Sequence, residues 1–281
     1  HNIIWATDDY QEKGEGFTRT DHITAATITG KIYSATIRPR SIKPIEQQKL
    51  RARSKAEVFT PSWLCNKQNN LLDEVFFGRE CVFNMESEKS WTTVEEKVFF
   101  PEGKNWKDYV LNPVLEISCG EAPYLVSRYD STTGKEIEPI RRIGLLDRKF
   151  RIIEENSNSD KEWLEWSIKA IEHTYGFELQ GDNLLIARKN VLFSFLDYYH
   201  QRYNSLPDRK LVKRIATIIS WNLWQMDGLT YTIPYEEAVE PIEQMTLFDF
   251  QEKDKKCLCI IKDWRAKRIY IFQDLVNKGG K

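Results

Sequence analysis

The stretch that decides the fold is Val110-Leu-Asn-Pro-Val-Leu-Glu-Ile-Ser-Cys-Gly-Glu-Ala-Pro-Tyr-Leu125. It predicts a buried strand at 114–117, a turn at Ser118-Cys119-Gly120, and a helix opening at Glu121 with Pro123 in its first turn. Proline is tolerated there because a first-turn N–H has no intrahelical partner. Small residues let a ligand approach the backbone, and N–H groups at a helix N-terminus point at it. The order of strand, glycine turn and helix start predicts a site for the polar part of a nucleotide-like ligand, although glycine turns after strands also occur in proteins without such a site.

The amino-acid composition argues against several classes of function. The 281 residues include 41 Lys and Arg against 42 Asp and Glu, so no global basic field marks a nucleic-acid binder. The chain has no apolar run of about 18 residues, which argues against a membrane span. Five scattered cysteines predict reduced thiols and a cytoplasmic location. Cys257-Leu-Cys259 lacks the spacing of a zinc site, so we predict no metal.

Further strands and helices are predicted along the chain. The second strand is Thr174 to Leu179 and the third is Ser220 to Leu229, with Asp227-Gly228 closing it. Amphipathic helices separate these strands, which predicts an α/β fold with a doubly wound sheet. We expect a domain at 56–281 with an acidic mobile segment near 236–254. The pieces 257–261 and 268–272 are β-prone and are expected to pair.

Residues 1–55 are predicted to form an N-terminal basic extension. Eight Lys and Arg residues lie between Lys31 and Lys55, opposed only by Glu46. Such a run is either a solvated arm or a segment that follows a phosphate backbone. In the second case the candidate nucleic-acid contacts are Arg38, Arg40, Arg51 and Arg53.

Acidic residues recur where the predicted strands end. The carboxyl ends of strands in open α/β sheets are where ligands bind. Glu178 is placed to accept hydrogen bonds from ribose hydroxyls and Asp227 from an adenine amino group, while Glu116 and the 118–120 turn would lie under the rest of the ligand. The stretch has neither a dinucleotide nor a phosphate-loop motif. Neighbouring carboxylates suit the sulfonium and ammonium of S-adenosylmethionine, although each could also be a solvated strand-end residue.

Four motifs in this order resemble the amino-methyltransferases of DNA restriction-modification systems. They are Phe59-Thr60-Pro61, Leu115-Glu-Ile-Ser-Cys-Gly-Glu121, Tyr175-Gly-Phe-Glu178 and Asn222-Leu-Trp-Gln-Met-Asp227-Gly-Leu229. The resemblance spans roughly residues 57–230 and implies a Rossmann-like methyltransferase fold that binds S-adenosylmethionine. It implies that Thr60 and Pro61 contact the methionine end, that Ser118, Cys119 and Gly120 lie beneath the cofactor, that Glu178 holds the ribose and that Asp227 holds the adenine.

The chain also departs from that family. Ala122, Pro123 and Tyr124 stand where the family has a second glycine and a phenylalanine, and there is no Pro-Pro pair for the catalytic motif that holds a flipped base. Whether methyl transfer occurs is therefore open. The hypothesis is a modification subunit or a partly degenerate module, with DNA and other restriction-modification subunits as partners.

Two other hypotheses stay open. One is a catalytically silent DNA-binding or scaffolding component of a restriction system. The other is a metal-dependent nuclease using Glu172 or Asp254 with nearby lysines, although no spacing singles these residues out.

Overall fold

The structure is a computed structural model that describes residues 3–29, 37–55, 57–237 and 256–279. The described chain is mixed α/β. The helices are α1 (Ala25–Ile28), α2 (Ile45–Lys55), α3 (Ser62–Phe77), α4 (Trp106–Leu111), α5 (Leu145–Asn156), α6 (Asp160–Glu172), α7 (Gly181–Tyr203), α8 (Arg209–Asn222) and α9 (Phe272–Gly279). The strands are β1 (Asn84–Ser87), β2 (Ser90–Thr93), β3 (Val114–Glu116), β4 (Thr174–Glu178), β5 (Leu223–Gln225), β6 (Thr232–Glu237), β7 (Lys256–Leu258), β8 (Ile260–Asp263) and β9 (Arg268–Ile271).

The central sheet is parallel and has the order β3-β4-β5. Val114 pairs with Thr174, and Gly176 pairs with Leu223. Parallel neighbours need long crossover connections; α5 and α6 lie between β3 and β4 in the chain, and α7 and α8 lie between β4 and β5. The α/β class is thus confirmed, and parts of the three predicted strands pair in one parallel sheet.

The third strand is shorter than the sequence predicts. Residues 220–222 end α8, and only Leu223–Gln225 pair with β4. The Asn222 side chain donates to the carbonyls of Ile171 and Thr174, at 2.8 and 3.1 Å. Asn222 therefore joins α8 to the end of α6 and the start of β4.

The helix predicted to open at Glu121 is wrong, because residues 121–125 form turns. Ser118, Gly120 and Ala122 have φ angles of 51°, 53° and 63°, in the left-handed region. Alternating left-handed residues reverse the chain at short intervals, which a right-handed helix cannot accommodate. The first α-helix after β3 is α5, which begins at Leu145.

A buried lysine fixes the amino ends of β3 and β4. Lys149 on α5 donates from Nζ to the carbonyls of Asn112 and His173, at 2.7 and 3.0 Å. These carbonyls come just before the two strands. Because Lys149 is only 2% exposed, burial lowers the pKa of its ammonium to about 7.

The described part of the N-terminal extension packs against the α/β domain. The backbone of Ile4 exchanges hydrogen bonds with the Gln225 side chain, and the N–H of Gly181 donates to the carbonyl of Trp5 at 3.0 Å. Further along, Lys43 and Arg51 form buried ion pairs with Asp182 at the start of α7. The extension is therefore attached at the ends of β5 and α7.

The predicted pairing of the C-terminal β-prone pieces is confirmed in part: β8 is antiparallel to β9, with Ile261 opposite Tyr270, whereas β7 pairs with β6. Residues 238–255, which hold most of the predicted acidic mobile segment, lie outside the described residues. None of the helices in the described ranges is long and apolar enough to cross a membrane.

Candidate functional site

A cavity of about 290 Å³ lies at the carboxyl ends of β3 and β4. Its wall includes six of the eight residues that the sequence predicts for a cofactor: Thr60, Glu116, Ser118, Cys119, Gly120 and Glu178. Glu116 and Glu178 end neighbouring parallel strands, and the turn that contains Ser118, Cys119 and Gly120 follows β3 directly. The register of the sheet therefore brings together residues that are 58 positions apart in the chain.

The glycine turn folds over the end of β4. The N–H of Cys119 donates to the carbonyl of Phe177 at 2.8 Å. This close approach needs the glycine at position 176, since a Cβ there would lie 3.3 Å from Cys119 Sγ. On its other side the turn meets Phe59, whose ring would lie 3.4 Å from a Cβ on Gly120. The turn is thus packed between β4 and the Phe59-Thr60-Pro61 motif.

Two residues of the turn that are not glycine hold left-handed backbone conformations. Ser118 has a φ of 51° and Ala122 a φ of 63°. Each such residue costs on the order of 1 kcal/mol, and residues of this kind cluster at ligand sites where the surrounding structure holds them in place. The strain on both sides of Gly120 marks this turn as a candidate functional element.

The two strand-end carboxyls are buried. Glu116 is 8% exposed and Glu178 is 6% exposed. Burial raises the pKa of Glu116 well above its usual range, against weak stabilisation by the N–H groups of Tyr124 and Leu125. Burial also raises the pKa of Glu178, although the N–H groups of Gln180 and Gly120 oppose the shift. A positively charged ligand would favour the ionised form of both groups.

Sequence reasoning missed two wall residues with unpartnered acceptors. Glu57 and Asn183 line the cavity and are 7% and 1% exposed. Glu57 Oε2 accepts from Arg51 Nε at 2.6 Å and from Asn183 Nδ2 at 3.3 Å. Glu57 Oε1 and Asn183 Oδ1 have no hydrogen-bond partner. Glu57 could have been predicted as a wall residue from its position two residues before Phe59 in the Phe59-Thr60-Pro61 motif. No local sequence feature indicates Asn183.

Arg51 fixes this wall from behind. Its guanidinium contacts Glu57, Gln180 and Asp182, and it is fully buried. The phosphate contact predicted for Arg51 is corrected to an internal ion pair, because a buried guanidinium cannot reach a nucleic-acid backbone.

The other predicted nucleic-acid residues differ in exposure. Arg38 and Arg53 are exposed, while Arg40 is half-buried. The guanidinium carbon of Arg40 lies 5.3 Å from the centroid of the Phe59 ring. Of the four arginines, Arg38 and Arg53 are thus the two that are exposed to solvent and accessible to a phosphate.

Pro61 and Asp227 do not line the cavity. Pro61 is the N-cap of α3, and the first-turn N–H of Ser62 donates to Asp130 Oδ2 at 2.7 Å. Asp227 Oδ1 accepts from the N–H groups of Leu229 and Thr230, and so shapes the turn between β5 and β6.

Comparison of the chain with protein-family models, with curated proteins and with solved structures finds no match. Within the described ranges, no group of three or more His, Cys, Asp and Glu side chains is arranged to hold a metal ion. The cavity and the chemistry of its wall are therefore the features that indicate a function.

Proposed function

We propose that this chain is an S-adenosylmethionine-binding, DNA methyltransferase-like protein of a restriction-modification system, with a Rossmann-like fold. The observation that carries the proposal is the cavity wall that combines Thr60, the 118–120 turn, Glu116 and Glu178. Residues from three separate motifs meet there at the carboxyl ends of parallel strands, where α/β folds bind nucleotides. The strand order β3-β4-β5 is compatible with one half of a doubly wound sheet.

The charge of the wall fits this ligand. Glu57, Glu116 and Glu178 are acidic, and the 14 wall residues include no Lys or Arg. A pyrophosphate would meet three carboxyl groups, of which only Glu57 has a cation, Arg51, beside it, whereas a sulfonium and an ammonium would favour the ionised forms of Glu116 and Glu178. The charges therefore favour S-adenosylmethionine over a dinucleotide.

The hydrogen-bonding groups also fit. Glu178 accepts one backbone N–H on each oxygen, and an ionised carboxylate has about four acceptor positions, so two remain for ribose hydroxyls. Glu57 Oε1 and Asn183 Oδ1, two buried acceptors of wall residues, have no hydrogen-bond partner within the described residues. The cavity volume is close to the lower end of the roughly 300–1,000 Å³ of small-molecule sites.

In this proposal the chain binds S-adenosylmethionine, and a second component is needed for methyl transfer. When bound, the cofactor supplies an electrophilic methyl group, while the residues of this chain bind and orient it. Because the chain has no Pro-Pro pair, we propose a modification subunit completed by a partner, or a partly degenerate module. A catalytically silent DNA-binding component is the alternative, and it predicts no methyl incorporation into any duplex.

The test is thermal unfolding in the presence of S-adenosylmethionine, S-adenosylhomocysteine or ATP. A ligand at 100 times its Kd adds about 2.7 kcal/mol to the free energy of unfolding, which raises the Tm by about 5–10 °C for a chain of this size. We expect this rise with the two adenosyl ligands and a much smaller one with ATP. An unchanged Tm at millimolar S-adenosylmethionine and S-adenosylhomocysteine would contradict the proposal, as would an equal rise with ATP.

A further inference from the structure

The C-terminal hairpin of β8 and β9 packs one of its two faces against the central sheet. Ile261 belongs to the hydrophobic cluster that contains Phe177 of β4, and Tyr270, which is opposite Ile261 in the hairpin, packs against the same cluster. Directly after β9, the ring centroid of Phe272 lies 6.0 Å from that of Phe177. The covered face of the hairpin is therefore the one that carries Ile261 and Tyr270.

The other face of the hairpin is apolar and exposed. Successive side chains of a strand point to opposite faces, so Ile260, Ile269 and Ile271 lie on the face turned away from the sheet. Ile260 is directly opposite Ile271, and Lys262 is opposite Ile269. The three isoleucines, which we call the isoleucine face, are 43%, 54% and 38% exposed. Antiparallel sheets usually carry polar residues on a solvated face, so these side chains indicate a surface that is covered by another segment.

The surroundings of the isoleucine face are basic. From Ile260 to Val276 the chain has two carboxylates, Asp263 and Asp274, against four cations, Lys262, Arg265, Lys267 and Arg268. Three of the cations, at 265, 267 and 268, are exposed at the end of the hairpin. Asp263 Oδ1 accepts from the N–H of Ala266 at 2.8 Å and so belongs to the turn itself. An occupant with apolar side chains and an excess of carboxylates is complementary to this surface.

The chain contains a segment of this composition at 240–252, outside the described residues. It has four carboxylates and neither Lys nor Arg. It also has five large apolar residues: Ile242, Met245, Leu247, Phe248 and Phe250. The segment therefore matches the isoleucine face in both charge and apolar character.

The segment is attached near this face. Phe250 is six positions before Lys256, where β7 begins, so the two residues can lie up to about 20 Å apart. Lys256 is four positions before Ile260, which limits their separation to about 14 Å. The segment can thus reach the isoleucine face while β7 and β8 keep their places. A short tether also gives it an effective concentration on the order of millimolar.

We propose that residues 240–252 dock on the isoleucine face of the same chain. Leu247, Phe248 and Phe250 contact the three isoleucines, and the carboxylates of the segment lie near the cations of the hairpin. A partner with an acidic, apolar segment would have to displace these residues to bind here. The inference is independent of the proposed cofactor site.

The test is the rate at which a thiol reagent labels the variant Ile269→Cys in the full chain. Labelling is followed for each site by mass spectrometry, because Cys81 is also exposed. Leu206→Cys, on a residue that is 70% exposed and outside the hairpin, reports general access of the reagent. An unchanged urea midpoint checks that each variant is folded.

Each labelling variant is combined with two changes of the segment. The first replaces its proposed apolar contacts, as Leu247→Ser, Phe248→Ser and Phe250→Ser. The matched control replaces two polar residues of the same segment, as Gln244→Ser and Gln251→Ser. Neither change alters the charge of the chain, so the comparison isolates the apolar contact.

We expect the site in Ile269→Cys to be labelled about tenfold more slowly with the native or control segment than with the apolar contacts removed, which corresponds to a bound fraction of about 90%. The rate for Leu206→Cys should be the same in all three. A peptide of residues 238–255, added at millimolar concentration to the chain without the apolar contacts, should slow the labelling again. Equal rates for all three segments would overturn the proposal. So would a slow rate that depends on protein concentration, because a second copy of the chain would then be the occupant.

Discussion

The N–H of Gly120 donates to Glu178 Oε2 at 2.9 Å, which joins the glycine turn to the end of the neighbouring strand. The other oxygen of Glu178 accepts from the N–H of Gln180 at 3.0 Å, just before α7. One carboxyl group thus connects the turn, β4 and the start of α7. A ligand that contacts Glu178 therefore contacts a carboxyl group that is hydrogen-bonded to, or part of, all three elements.

Burial of Glu116 makes stability depend on pH. Its folded-state pKa is raised by burial above the unfolded value of about 4.3. Its contribution to the free energy of unfolding is therefore present below that unfolded value and is lost as pH rises through the folded pKa. Urea unfolding between pH 4 and 8 measures this, with Glu116→Gln as the variant that cannot titrate.

We expect the stability of wild type to fall relative to Glu116→Gln as pH rises, by up to about 1.4 kcal/mol per pH unit. Glu165→Gln, on an exposed residue of α6, is the control and should follow wild type. Parallel curves for wild type and Glu116→Gln over this range would refute a raised pKa at Glu116.

For Lys149 we expect the free energy of unfolding to rise with pH, opposite to the effect of Glu116 and at higher pH. Burial lowers its folded-state pKa to about 7, while the unfolded value is about 10.4. Between these values the unfolded chain binds the proton and the folded chain does not, so stability gains from Lys149 as pH rises. Wild type should become more stable relative to Lys149→Met from pH 7 to pH 10. A stability difference that does not change with pH would show that Lys149 stays charged.

Arg51 and Arg53 are two residues apart but differ in burial, so their substitutions should differ in effect. Arg51→Met removes the buried cation from Glu57 and leaves Asp182 with Lys43 alone, which costs about 3–5 kcal/mol in the free energy of unfolding. Arg53→Gln should change it by less than about 0.5 kcal/mol, since Arg53 is exposed. Chemical denaturation measures both. Equal effects would contradict the buried ion pairs.

The same pair of variants tests the predicted DNA contact. If α2 follows a phosphate backbone, Arg53→Gln weakens binding to all duplexes alike and lowers the salt slope by about one. A matched substitution on α8, Arg209→Gln, controls for general loss of charge. Unchanged DNA affinity in Arg53→Gln would remove Arg53 from the contact surface.

The sequence predicted the elements whose signal is local. The strands at Val114 and Thr174 and the helices α6 and α7 are short apolar runs or clear amphipathic patterns, and the structure has them within a few residues. The helix at Glu121 failed because proline and glycine indicate a helix start and a turn equally well. The left-handed residues Ser118 and Ala122, which decide between the two, have no side-chain signature.

Long-range pairing was not predictable from local pattern. Arg51 and Asp182 are 131 positions apart, and a basic run gives no indication that one arginine is buried among carboxylates. Asn183 joins the cavity only because α7 starts next to Glu57. Gly120 and Glu178 were predicted as cofactor contacts because they follow or end strands, where parallel register brings them together, whereas Thr60 was predicted from the family resemblance.

The most direct test of the account is the Kd of S-adenosylmethionine, measured by calorimetry for wild type, Glu178→Gln and the exposed control Glu165→Gln. Hydrogen bonds to a charged group contribute about 1.5–3 kcal/mol, so Glu178→Gln should raise the Kd roughly ten- to a hundredfold while Glu165→Gln leaves it unchanged. No heat of binding in wild type at millimolar ligand, or the same Kd in wild type and Glu178→Gln, would contradict the account.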